Sequence, residues 1–313
     1  MELMQNSWLS FIFRLTLLSP QQRETSRHPK LDAHTEHDLR KSGRGVYSRS
    51  LQAPKTAPQR SCVLPPLTGQ GATNQTELLL RLRHLPKQIP SEARAFANAK
   101  SLRRAMQYRL YKPLSFDPAK TYPLVLSLHG GGPRHRFEDL LEPFAPGFSY
   151  GIGRLVSPET RSKHPAFVLA PWSGGQGWDA ANIRLVIGIL DSLRAEFKID
   201  SKRIYVTGQS MGGAGTWAFL AAHPKLFAAG IPICGWDEPD VAPRIKHIPV
   251  WVIHGNADSI VPVASSRNIL KALSAAGGKP IYWKYDKATH AATAERAYCE
   301  LQMIDWLFEQ AKE

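Results

Sequence analysis

Hydrophobic and polar positions divide the chain into a long stretch without pattern and a long stretch with two alternating periods. Residues 20 to 71 are rich in Ser, Arg, His, Gln and Pro with almost no apolar rhythm, so 1–71 reads as a disordered segment, or as one missing from the mature protein. Before it, Trp8 to Phe13 is apolar, but Arg14 interrupts the run ahead of Leu15 to Leu18, and Glu2 stands where a basic n-region would be. That is a poor signal peptide, and it is too short and too charged for a transmembrane segment. Leucines at helical spacing over 76–85, broken by Pro86 to Pro90, predict a helical lead-in within 72–104. Residues 105–111 alternate as a half-exposed strand, and 113–120 reads as a turn into a strand over 123–128, a hairpin-like entry to a sheet. Helical and strand patterns then alternate. Helices are predicted over 137–144, 181–197, 213–222, 263–276 and 292–310, and strands over 166–170, 203–207, 228–234, 250–254 and 280–285. Nearly continuous apolar strands between helices predict an α/β domain over 105–313 with a mostly parallel sheet covered on both faces.

Composition changes this picture little, except through charge. The net charge of +14 suggests a nucleic-acid or membrane partner until it is located. Residues 1–120 hold 20 Lys and Arg against 8 Asp and Glu, whereas 121–313 hold 20 against 18. The patterned part is near neutral, so the charge implies neither a polyanionic substrate nor nucleic acid. Three cysteines, Cys62, Cys234 and Cys299, lack the spacing of a disulfide framework or a zinc site. Free thiols are expected, with a Cys234–Cys299 pair left open, and the cellular compartment stays undecided between cytoplasmic and exported.

The candidate chemistry begins at Gly208-Gln209-Ser210-Met211-Gly212, a G-x-S-x-G run directly between the strand ending at Thr207 and the next helix. A serine hydroxyl needs a sharp strand-to-helix turn on which a base can reach it, and the glycines keep that turn free of side chains. Met211 begins the helix, so its N–H points to where a tetrahedral oxyanion forms. Upstream, the strand over 124–128 runs into His129-Gly130-Gly131-Gly132. A nucleophile–base–acid set in the chain order Ser, acid, His selects His290 as base, since it alone follows both candidate acids. For the acid, Asp258, leaving its strand through His254-Gly255-Asn256-Ala257, is favoured over Asp237, which lies in a segment that reads as a solvated loop. No cofactor or metal is called for.

These residues resemble the α/β-hydrolase superfamily, and within it the esterases similar to polyhydroxybutyrate depolymerases, feruloyl esterases and phospholipase/carboxylesterases, with kinship to prolyl oligopeptidase catalytic domains. The resemblance spans about residues 100–313 and rests on Tyr122 to Gly132, Gly208 to Gly212, His254-Gly255-x-x-Asp258 with Val261-Pro262, and His290. It implies a serine hydrolase cleaving small or oligomeric carboxylic esters through Ser210, His290 and Asp258, with the N–H groups of Met211 and Gly131 as oxyanion donors. A peptidase of the prolyl oligopeptidase kind and a catalytically silent binding protein are the alternatives. The sequence departs from the group at Pro133 to Arg136 and in having no aromatic soon after His290. Trp172 and Trp178, in the glycine-rich loop 171–179, read equally as walls of a substrate pocket or as rim aromatics packed on the sheet.

Overall fold

The computed structural model describes residues 91–97, 105–131, 137 and 150–313. The segment 1–71, the helix expected over 76–85 and nearly all of that expected over 137–144 lie outside these residues.

Among the described residues, eight strands form one sheet in the order β1-β2-β4-β3-β5-β6-β7-β8. They are β1 (Glu92–Ala97), β2 (Ala105–Tyr111), β3 (Tyr122–Leu128), β4 (Phe167–Pro171), β5 (Ile199–Gln209), β6 (Ala229–Ile233), β7 (Trp251–Gly255) and β8 (Ile281–Tyr285). From β4 through β8 every pairing is parallel, while β1 and β2 join antiparallel at one edge. Two expectations are corrected here. Part of the predicted helical lead-in, 92–97, is a strand paired to β2, and β2 neighbours β4 rather than forming a hairpin with β3.

Side chains alternate along the parallel strands, and in β3, β4, β6 and β7 both sets are buried, which explains the continuous apolar runs. Leu124, Leu126, Ile204, Val206, Val250 and Val252 pack on one face beneath α3 (Ala180–Glu196), α4 (Met211–Ala222) and α6 (Val263–Ala275). Val125, Tyr205, Trp251 and Ile253 face the opposite way, toward α1 (Tyr150–Leu155) and α8 (Leu301–Glu309). Each such side chain contributes about 1.5–3 kcal/mol on burial, so a one-residue slip in any central strand is strongly disfavoured. The short α2 (Pro158–Lys163) and α5 (Ala242–Ile245) complete this part of the chain. α2 carries a start signal readable in sequence: Ser157 caps it by accepting from Thr160 N–H at 3.3 Å, with Pro158 following.

The single helix predicted over 292–310 is instead two, α7 (His290–Ala297) and α8, separated by residues 298–300. The break follows from packing. Tyr298 is buried in the second core layer, and its hydroxyl meets Thr207 Oγ1 at 3.2 Å, a position a continuous exposed-face helix would not give it.

Candidate active site

The carboxyl ends of β3, β5, β6, β7 and β8 lie side by side, and this edge is where open α/β sheets place their sites. Ser210 sits between the last residue of β5 and the first of α4, with φ 54° and ψ −120°. An L-residue takes this left-handed conformation at a cost of about 1–3 kcal/mol, so the surroundings must hold it. They do so by contact and by hydrogen bonding. Ser210 N–H donates to Ile233 O at 2.8 Å, while a Cβ on Gly208 would lie 2.5 Å from Gly212 O, and one on Gly212 would strike Leu128 O. The serine is half-buried, and its hydroxyl does not cap its own helix.

His290 and Asp258 meet each other at the ends of the loops that follow β8 and β7. His290 Nδ1–H donates to Asp258 Oδ2 at 2.6 Å, and the carboxylate is fully buried. His290 is the first residue of α7 rather than a loop residue, because Thr289 accepts from Ala292 N–H and starts the helix earlier than the apolar period suggested. Asp258 Oδ1 accepts from the N–H groups of Ile260 and Val261, each at 2.9 Å. Burial alone would raise this carboxyl, but donors from His254, His290 and Val261 N–H outweigh it and hold the group well below the usual carboxylate range.

Asp237, the rival acid, caps its own turn by accepting from Glu238 N–H at 2.8 Å. Burial, reinforced by the charges of Asp240 and Glu238 against the Glu238 N–H bond, pushes its pKa up to about 6. The consequence for stability has a definite sign. Below about pH 4 the group is protonated folded or unfolded; between about 4 and 6 only the unfolded chain ionises, so stability falls as pH rises, and above 6 the penalty is constant. Asp237→Asn should therefore raise Tm at pH 8, leave it unchanged at pH 4, and change kcat by less than about threefold. Thermal unfolding at the two pH values checks this, and an equal shift at both would exclude the ionisation as its cause.

The turn after β3 is braced by aromatic rings. His129 is buried between Trp172 and Trp178, with ring centroids at 4.9 and 5.0 Å. Its Nε2 accepts from Ser173 N–H at 3.1 Å, so the ring proton lies on Nδ1, which donates to Gly130 O at 2.7 Å. Asn182 Nδ2 secures the loop by donating to Ser173 O and Gly177 O. Gly131 is exposed beside Met211, since a Cβ there would be 3.5 Å from Met211 Cβ. The two residues are thus neighbours in space, while Gly132 lies outside the described residues.

Of the two tryptophans, Trp172 is half-buried on His129. Trp178 is buried under the turn: its indole N–H donates to His129 O at 3.3 Å, and its ring fills the space where Gly215 has no Cβ. It braces this turn rather than forming an open wall.

Cys234, which sequence reasoning left unassigned, follows β6 at φ 43°, and its thiol donates to His290 O at 3.8 Å. Burial pushes this thiol up, so it is held as S–H, and it is not bonded to Cys299. Its Sγ, a carboxylate oxygen of Asp258 and a ring nitrogen of His290 lie within 4.8 Å of one another, the single metal-type grouping among the described residues. The carboxylate and imidazole already engage each other in that grouping.

Comparison with known proteins points to esterases of the same fold. Residues 181–309 match a family described as PET hydrolase-like. The chain is 26% identical over 168 residues to a bifunctional acetylxylan esterase/xylanase of Neocallimastix patriciarum, covering 52% of this chain and 23% of that protein. It is 34% identical over 93 residues to a bis(hydroxyethyl) terephthalate hydrolase of Streptomyces coelicolor, covering 30% and 29%. A solved thermostable esterase superposes with a TM-score of 0.64 at 34% identity, covering 73% of this chain and 64% of that one. The chain therefore spans under a third of these two curated relatives and just under two thirds of the solved one. Through its strand order and these likenesses, the chain has the α/β-hydrolase fold and is similar, over part of its length, to PET hydrolase-like proteins and to esterases.

Proposed function

We propose that this protein cleaves carboxylic esters through an acyl-enzyme, with Ser210 as nucleophile, His290 as base and Asp258 as the acid that orients it. The observation carrying this reading is the 2.6 Å bond from His290 Nδ1 to the buried Asp258 carboxylate, alongside a serine at a strained elbow. A proton held on Nδ1 leaves Nε2 with its lone pair, the form able to accept the Ser210 proton. Ser210 Oγ attacks the acyl carbon, and the N–H groups of Met211 and Gly131 receive the developing oxyanion. The imidazolium then protonates the departing alkoxide, leaving an ester on Ser210. Water, activated by the same imidazole, attacks that ester, and collapse releases the carboxylic acid with the serine restored. The half-buried Trp172 is a candidate contact for the acyl or alcohol group. The substrate class is a small or oligomeric ester with a short acyl group, and relatives named for acetylxylan and terephthalate esters are consistent with it.

A panel of p-nitrophenyl esters beside aminoacyl-proline amides tests this: ester turnover with the amides left intact is expected, and amide cleavage without ester cleavage would overturn it. The pH profile is a further expected result. Only neutral imidazole accepts the serine proton, so kcat/KM should fall toward acid pH as that ring becomes protonated. Asp258, held well below the usual carboxylate range, stays ionised and adds no second step. A rate flat from pH 5 to 9 would remove the histidine from this role.

A further inference from the structure

His254 is the last residue but one of β7, just ahead of the loop that carries Asp258, and its side chain is fully buried. Being upstream of the acid, it has the wrong chain position to be the base, yet its ring touches the same carboxylate. Nε2 lies 3.2 Å from Asp258 Oδ2 and 3.0 Å from Val261 O. Both neighbours only accept, so Nε2 must carry the proton. Nδ1 lies 2.7 Å from Ser266 Oγ, buried in the first turn of α6. The ring is therefore gripped at both nitrogens, with a proton on Nε2.

Asp258 Oδ2 thus receives two imidazole N–H donors, while its Oδ1 receives two backbone N–H groups. The backbone donors hold Oδ1 but make no bond to Oδ2, the oxygen that faces His290 Nδ1. The His254 ring adds a fixed donor at that second oxygen. We propose that His254 is a positioning residue for the acid: its Nε2–H, anchored through Ser266, pins Asp258 Oδ2 where His290 Nδ1 can reach it. The second contact of Nε2, to Val261 O, ties the same ring to the loop's far end, so the strand, the loop and α6 are registered by one side chain. This inference rests on the esterase reading above.

The test uses two amide replacements that separate the two ends of the ring. In His254→Gln the amide nitrogen falls near the place of Nε2, so the donor to Asp258 is kept and the Ser266 partner is lost. In His254→Asn the amide falls near Nδ1, so the Ser266 partner is kept and the donor to Asp258 is lost. Both remove the imidazole and both stay polar in a polar socket. The full chain and both variants are compared for kcat and KM on p-nitrophenyl acetate and for thermal unfolding. His254→Asn should lose about 10- to 100-fold in kcat with KM within about twofold, the size seen when a supporting partner of a functional ligand is removed. His254→Gln should remain within about fivefold of the parent. Equal losses in the two, a larger loss in Gln, or losses that appear in KM would each overturn the proposal and leave His254 as packing. If Asn does not fold, Ser266→Ala removes the partner that Gln removes and keeps the Nε2 donor, so its kcat should also stay within about fivefold of the parent, and a tenfold or larger loss there would overturn the proposal. An inactive parent chain, by contrast, would refute the esterase reading itself.

Discussion

Ser210→Ala should lower kcat by roughly 10⁵- to 10⁶-fold, the loss that follows removal of a triad nucleophile, equivalent to about 7–8 kcal/mol of transition-state stabilisation. Oxyanion donors and binding surface would remain, so a small rate above water should persist and KM should change little. The fold should not suffer. Alanine bears the same Cβ at φ 54°, the Ser210 N–H bond to Ile233 O is a backbone bond, and the lost hydroxyl caps no helix. Tm is therefore expected to move by no more than a degree or two. Labelling by a fluorophosphonate probe, complete in the parent, should disappear. An Ala variant retaining more than about a hundredth of the parent rate would show that chemistry proceeds elsewhere.

Asp258→Asn should lower kcat by about 10⁴-fold, for a reason specific to this loop. An asparagine must turn its oxygen toward the two N–H groups of Ile260 and Val261, since both are donors. Its NH₂ then faces His290 Nδ1, and a donor there forces the ring proton onto Nε2. Imidazole in that tautomer cannot accept the serine proton. The same NH₂ also opposes the His254 Nε2–H, so some stability is lost as well. Asp237→Asn, made alongside, should leave kcat nearly intact, because that carboxylate is committed to its own turn. A large loss at Asp237 and a small one at Asp258 would exchange their assignments.

The sequence alone determined the architecture, because the features that encode it are local. Alternating apolar strands and amphipathic helices from residue 105 onward specify a covered parallel sheet whatever its strand order, and glycines around Ser210 mark a turn that no side chain would permit. The candidate nucleophile, base and acid were legible for the same reason: each sits where a strand ends, and chain order distinguishes them. Boundaries were less legible. A strand lay hidden within 72–104 because an exposed edge strand has no continuous apolar run, and the break at Tyr298 reflects a ring entering the core rather than any stop signal.

Other matters were decided only when distant segments met. Strand order, with β4 inserted between β2 and β3, depends on crossovers that no local pattern records. Whether Asp258 or Asp237 faces the imidazole depends on the reach of a loop after β7 toward a residue 32 positions later. Trp178 became a brace instead of an open wall because it met Gly215 on another helix, and His254 acquired a partner in Ser266 only through the docking of α6 on β7. A tautomer, a burial and a hydrogen-bond partner are properties of neighbours in space, and chain position carries them only when those neighbours are also near in sequence.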